Sequence, residues 1–126
     1  MSIYGIGSDI VDINRIKKAL KNKNFKKRIF SSQEIKFINS KFNKTASYSK
    51  RFAAKEAFSK AIGTGISGGV SFKDISIMND KSGKPYIMLL GKTKSIVEGI
   101  IKKKYKIFLS ISDEKNYALA TVVISS

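Results

Sequence analysis

Arg51-Phe-Ala-Ala-Lys-Glu-Ala-Phe-Ser-Lys-Ala-Ile-Gly-Thr-Gly65 decides how this chain is read. Ala53, Ala54, Ala57 and Ala61 let another element approach a helix closely, and Phe52 and Phe58 add apolar bulk on two sides. The pattern predicts a packed helix from about Thr45 to Ile62, stopped at Gly63, where glycine accepts the left-handed conformation of a C-terminal cap. Its single carboxylate, Glu56, is surrounded by Arg51, Lys55 and Lys60. Glu56 and Lys60, four residues apart, share a face. On a free helix they would be an ion pair worth a few tenths of a kcal/mol. Set among alanines and cations, they suit an anionic ligand.

Working outward, Gly5-Ile-Gly-Ser-Asp-Ile-Val-Asp-Ile13 lies in a predicted strand, Ile3 to Asp12. Period-two alternation puts Gly5, Gly7, Asp9 and Val11 on one face and Tyr4, Ile6, Ser8 and Ile10 on the other. A charge at Asp9 on the first face costs several kcal/mol if buried without a partner. Asp12 is placed to cap a helix with the apolar stripe Ile13, Ile16, Ala19 and Leu20. Ser31-Ser-Gln-Glu34 spells a capping box opening a helix that buries Ile35 and Ile38. Further on come a strand from Phe72 to Met78, turn residues Asn79 to Lys84, and a strand from Pro85 to Leu90. A helix from Thr93 to Lys104 follows, then two strands, Lys106 to Ser112 and Tyr117 to Ile124, paired around Asp113 to Asn116. Asp113 reads first as a residue of that hairpin turn. Helices and strands cluster rather than alternate, which predicts an α+β fold: a single small domain over residues 1–126 with an antiparallel sheet packed with helices.

Composition narrows the chemistry. With no cysteine and no histidine, thiolate sites, disulfides and imidazole catalysis are excluded. Any metal must be held by oxygen, which points to magnesium, calcium or manganese. The N-terminus carries no basic segment followed by an apolar run, and no apolar stretch nears the ~20 residues that span a bilayer. The expectation is a cytoplasmic protein with no membrane partner. A net charge of +16 calls for an anionic partner, and Lys17, Lys18, Lys21, Lys23, Lys26, Lys27 and Arg28 form the densest cluster. Much of the remaining lysine fits the Ile- and Asn-rich composition of an AT-biased genome. A nucleic-acid-binding module is the rival reading, but aromatics do not interleave with the basic cluster and no nucleic-acid motif is present. Specific nucleic-acid binding is therefore not expected.

Gly63-Thr-Gly-Ile-Ser-Gly68 spells a dinucleotide fingerprint but follows a helix, whereas that fingerprint needs a strand before it. No Walker-type phosphate loop exists either, since no glycine run is followed by Lys-Ser or Lys-Thr.

The motifs converge on one resemblance. Gly5 to Ile13, Arg51 to Ile66, Gly83-Lys-Pro85 and Ser110-Ile-Ser-Asp-Glu-Lys-Asn-Tyr-Ala118 resemble, in order and spacing over essentially the full chain, the small bacterial-type 4'-phosphopantetheinyl transferases of the holo-acyl-carrier-protein synthase family. The resemblance implies that family's fold and transfer of the 4'-phosphopantetheine arm from coenzyme A to a serine of apo acyl carrier protein. Adenosine 3',5'-bisphosphate would leave. It implies Mg2+ held by Asp9 and Glu56, with Lys60 catalytic beside them. Coenzyme A would meet Arg51, Lys55, Ser59, Gly63, Lys84 and Pro85. Arg15, Phe25 and Arg28 would meet the acidic carrier protein, and homotrimers would carry sites between subunits. Some members have histidine where Asp113 stands; this chain cannot use a histidine-based mechanism.

Overall fold

Two glycines determine how the first strand meets the long helix. The computed structural model of the chain describes residues 2–63 and 68–126. Strand β1 (Ile3–Asp12) lies directly on a helix, Lys44–Ile62. A Cβ on Gly7 would overlap the Ala57 carbonyl oxygen, and one on Gly5 would overlap that of Ala61. Only glycine on the strand and alanine on the helix permit this approach.

Between them the chain forms three short helices: α1 (Ile13–Ala19), α2 (Lys23–Ile29) and α3 (Ser32–Asn39). The long helix is therefore α4. Asp12 caps α1, its side chain accepting from Asn14 N at 2.8 Å. Helix α2 is an addition to the sequence reading. Asn22 caps it, accepting from Asn24 N and Phe25 N, and Phe25 and Ile29 fall four apart toward the core. The capping box of α3 is present as spelled, with Ser31 Oγ accepting from Glu34 N and Glu34 Oε1 accepting from Ser31 N. Gly63 ends α4 in the left-handed region, φ 83°.

The second half differs from expectation at its edges. The predicted strand from Phe72 begins as a 3-10 turn, Phe72–Asp74, before β2 (Ile75–Asn79). Strand β3 (Pro85–Leu89) returns antiparallel to β2. Helix α5 (Gly91–Ile101) starts before the expected Thr93 and ends with its last apolar residue rather than at Lys104, because Lys102 turns left-handed at φ 59°. Strands β4 (Lys106–Asp113) and β5 (Tyr117–Ser125) complete a sheet of order β1-β5-β4.

The α+β class thus holds. The inner sheet face (Ala118, Ala120, Val122 and Ile124 of β5) packs with Ala53, Ala57, Phe58 and Ala61 of α4. Each buried Ile or Val contributes about 1.5–3 kcal/mol. Register places Asp9 opposite Ala120, and Ala120 opposite Ile111, so Asp9 sits on this inner face at the margin of the core. The outer face carries Ile6, Ile10, Phe108 and Leu119, all exposed.

Candidate active site on two faces of the long helix

Helix α4 divides its polar residues between opposite sides. At ~100° per residue, Glu56 and Lys60 lie roughly 140° and 180° around the axis from Arg51.

On the first side, β1 brings Asp9 to Glu56 and Lys60. Lys60 Nζ donates to Asp9 Oδ1 at 3.0 Å and to the Ser8 carbonyl at 3.0 Å, crossing to the strand rather than pairing with Glu56 along the helix. Two of its three N–H groups are thereby used among the described residues. The Glu56 carboxyl is raised above its ordinary range, first by burial and then by the Asp9 charge, with Lys60 opposing. The Asp9 charge is thus felt at the Glu56 carboxyl. Ser59, next to Lys60, is buried, and its hydroxyl donates back to the Lys55 carbonyl at 3.1 Å. Gly63 is exposed one turn beyond; residues 64–67, Gly65 among them, lie outside the described residues.

On the second side, Arg51 lines a cavity of about 440 Å³ with Phe37, Lys41, Lys50, Asn79, Lys81 and others. Arg51 is 3% exposed; its Nη2 donates to Asn79 Oδ1 at 2.8 Å and its Nη1 to the Ser47 carbonyl at 3.3 Å. Its Nε is buried with no acceptor among the described residues. Burial lowers the guanidinium pKa, opposed by Glu34 and Tyr48. A buried arginine with an unused donor, lining a cavity among lysines, is suited to an anionic oxygen. Asp113 ends β4 beside this region and pairs with Lys50 at 3.2 Å, so it is more than a turn residue. Lys84 is exposed, and Pro85 opens β3, at the hairpin that forms one wall.

Lys55 requires a correction. It is completely buried, with Nζ donating to Glu34 Oε1 at 2.7 Å and to the Phe72 and Ile75 carbonyls at 2.9 and 2.6 Å. All three donors are used inside the protein, so Lys55 has none for a coenzyme phosphate. Burial pushes its ammonium down to about 8, with the Glu34 carboxylate pulling the other way. Glu34 Oε2 accepts from Ile77 N at 3.0 Å, completing a buried node that ties α3, α4 and β2 together.

Arg15 and Arg28 are exposed on α1 and α2, and Phe25 is half-buried against Phe52 at 6.1 Å between ring centroids. A second cavity, about 1120 Å³ between β3, α5 and the start of β4, is lined by none of the expected site residues. Sequence reasoning missed Lys41, Lys50 and Asn79. Lys50 directly precedes Arg51 and could have been noted; Asn79 read only as turn chemistry.

Residues 5–122 match the model of the 4'-phosphopantetheinyl transferase superfamily. The chain belongs to that superfamily. Among curated relatives, the holo-[acyl-carrier-protein] synthase of Pelagibacter ubique (strain HTCC1062) is 56% identical over 129 residues, covering 98% of both chains. Among solved structures, the holo-[acyl-carrier-protein] synthase of Neisseria meningitidis superposes with a TM-score of 0.88 at 40% identity, covering 98% of this chain and 99% of that one. The Bacillus anthracis enzyme, solved in complex with CoA (3',5'-ADP), gives 0.80 at 39% identity over 98% and 97%.

Proposed function

We propose that this chain, acting as one domain, transfers the 4'-phosphopantetheine arm of coenzyme A to a serine of apo acyl carrier protein. It would work in the cytoplasm as a magnesium-dependent homotrimer that supports fatty acid biosynthesis. The convergence of Asp9, Glu56 and Lys60 from two distant motifs carries the reading.

The donor set fits a hard cation. Among the described residues no group of three or more Asp, Glu, His or Cys side chains forms a cage. Magnesium characteristically takes one or two carboxylates and completes its shell with phosphate oxygens and water, so Asp9 and Glu56 would hold it. When bound, it supplies charge neutralisation at the diphosphate. In the transfer the serine oxygen bonds to the phosphorus nearer the pantetheine, the bond to the nucleotide phosphate breaks, and the serine proton passes to the Glu56 carboxylate or to water. Lys60 has one N–H left for the charge that develops on the departing phosphate.

Arg51 and its cavity lie on the far side of α4 from Asp9 and Glu56. A coenzyme A molecule spanning both kinds of site therefore draws them from neighbouring copies, which supports an assembly. So does the exposed outer sheet face, where Ile6 and Ile10 are 66% and 63% accessible and apolar side chains line up across three strands. Lys84 and Pro85 would line the coenzyme path with Arg51, Ser59 and Gly63. The exposed cations Arg15 and Arg28, with Phe25, would attract the acidic carrier protein and speed encounter.

Incubation with coenzyme A and apo carrier protein should add the phosphopantetheine mass to the carrier when magnesium is present and not when it is chelated. Asp9→Ala and Glu56→Gln should each abolish transfer with the fold intact. Full activity of either variant in excess magnesium would refute the assignment.

A further inference from the structure

We infer that Asn79 is a positioning residue for coenzyme A, acting through Arg51. This rests on the reading above, in which Arg51 meets a phosphate of coenzyme A.

The carboxamide of Asn79 has two ends, and each is used. Its Oδ1 accepts from Arg51 Nη2 at 2.8 Å, and its Nδ2 donates to the Gly83 carbonyl at 2.9 Å. The first bond fixes the guanidinium plane, with the Ser47 carbonyl on Nη1 and the Phe37 ring 5.1 Å away. Of the five guanidinium N–H groups, one on each Nη is used in this way, which leaves three without an acceptor among the described residues, Nε among them. The second bond pins the β2–β3 hairpin tip, which Asp80 tightens by accepting from Ser82 N and Lys84 N at 2.9 Å each. Arg51, Lys81 and Gly83 all line one cavity, so a single side chain sets the relation between its helix wall and its hairpin wall. Asp80, the one acid lining that cavity among the described residues, takes these turn bonds and one from Ser82 Oγ on its Oδ1.

The residue type matters. A carboxylate at position 79 would hold the same guanidinium but neutralise it and compete with phosphate. A neutral amide orients Arg51 and leaves its charge available. Aspartate would also lose the donor to the Gly83 carbonyl, so positioning is distinguished from bracing of the hairpin by whether the effect of Asn79 depends on Arg51.

The test is steady-state kinetics on Asn79→Ala, Asn79→Asp, Arg51→Ala and the Asn79→Ala/Arg51→Ala double variant, varying coenzyme A and carrier protein separately. Losing a hydrogen bond to a charged group should raise the KM for coenzyme A about tenfold in Asn79→Ala, and further in Asn79→Asp. In both, kcat and the KM for carrier protein should stay within about twofold of the parent, a split that general loosening would not produce. In the Arg51→Ala background, Asn79→Ala should add nothing. Equal effects with and without Arg51, or a fall in kcat at unchanged KM, would overturn the proposal while sparing Arg51's role. An unchanged KM in Arg51→Ala would overturn the coenzyme reading of this cavity, and the proposal with it.

Discussion

Replacing Lys55 by methionine keeps most of the side-chain volume and removes only the ammonium. Three acceptors then lose a partner in a fully buried place: Glu34 Oε1 and the Phe72 and Ile75 carbonyls. Glu34 is left 0% exposed, with bonds from Ser31 N and Ile77 N but no ion-pair partner among the described residues. Breaking a buried pair by deleting one member costs about 3–5 kcal/mol, because the surviving charge is stranded. A 126-residue chain has roughly 6–19 kcal/mol of total stability. Lys55→Met should therefore shift the urea midpoint strongly to lower concentration at unchanged slope. Glu34→Gln should cost a comparable amount, since it strands the ammonium instead. The double variant, with neither charge, should lose clearly less than the sum, a coupling of about 2 kcal/mol or more. Additive losses, or a Lys55→Met cost under about 1 kcal/mol, would refute the claim that this pair is a dry, mutually dependent node.

Gly7→Ala should destabilise by about 1–3 kcal/mol, because the new Cβ overlaps the Ala57 carbonyl and the strand must move off α4. A melting temperature within a degree of the parent would show that the contact yields freely. Ile6→Asp or Ile10→Asp, on the exposed outer sheet face, should leave the monomer fold intact by circular dichroism and dissociate the assembly in analytical ultracentrifugation. An unchanged sedimentation coefficient would place the subunit contact elsewhere.

Local rules carried the sequence reading a long way. Asp12, Ser31–Glu34 and Gly63 act through hydrogen bonds or dihedrals within a few residues, so caps and helix boundaries could be read from neighbours alone. The strand alternation of β1 likewise fixed which face Asp9 would join. Helix α2 was harder to see because two turns with a lysine-rich surface offer little apolar periodicity beyond Phe25 and Ile29. The roles of Lys55 and Asn79 were not legible. Lys55 looks like one more cation around Glu56 until the fold brings Glu34, Phe72 and Ile75 around it, 17 to 21 residues away along the chain. Asn79 carries a turn signal and also a contact 28 residues distant, and only the turn could be read locally.

The placement of Lys55 explains why two functional faces can share one helix. Catalytic groups must be held within about 0.5 Å of their working geometry, which favours rigid elements over loops. Along α4, Ala57 and Ala61 are seated against Gly7 and Gly5, and that contact sets the depth and rotation at which Glu56 and Lys60 meet Asp9. Toward the other side, Lys55 is clamped by α3, the 3-10 turn and β2, one helical turn from Arg51. Neither seat tolerates a slip: rotating α4 by one residue would drive a larger side chain than alanine into β1 and carry a charged ammonium out of its acceptors. The helix is therefore fixed by contacts on both sides. Its exposed and half-exposed polar groups, Glu56 and Lys60 toward β1 and Lys50 toward Asp113, inherit that rigidity without supplying it.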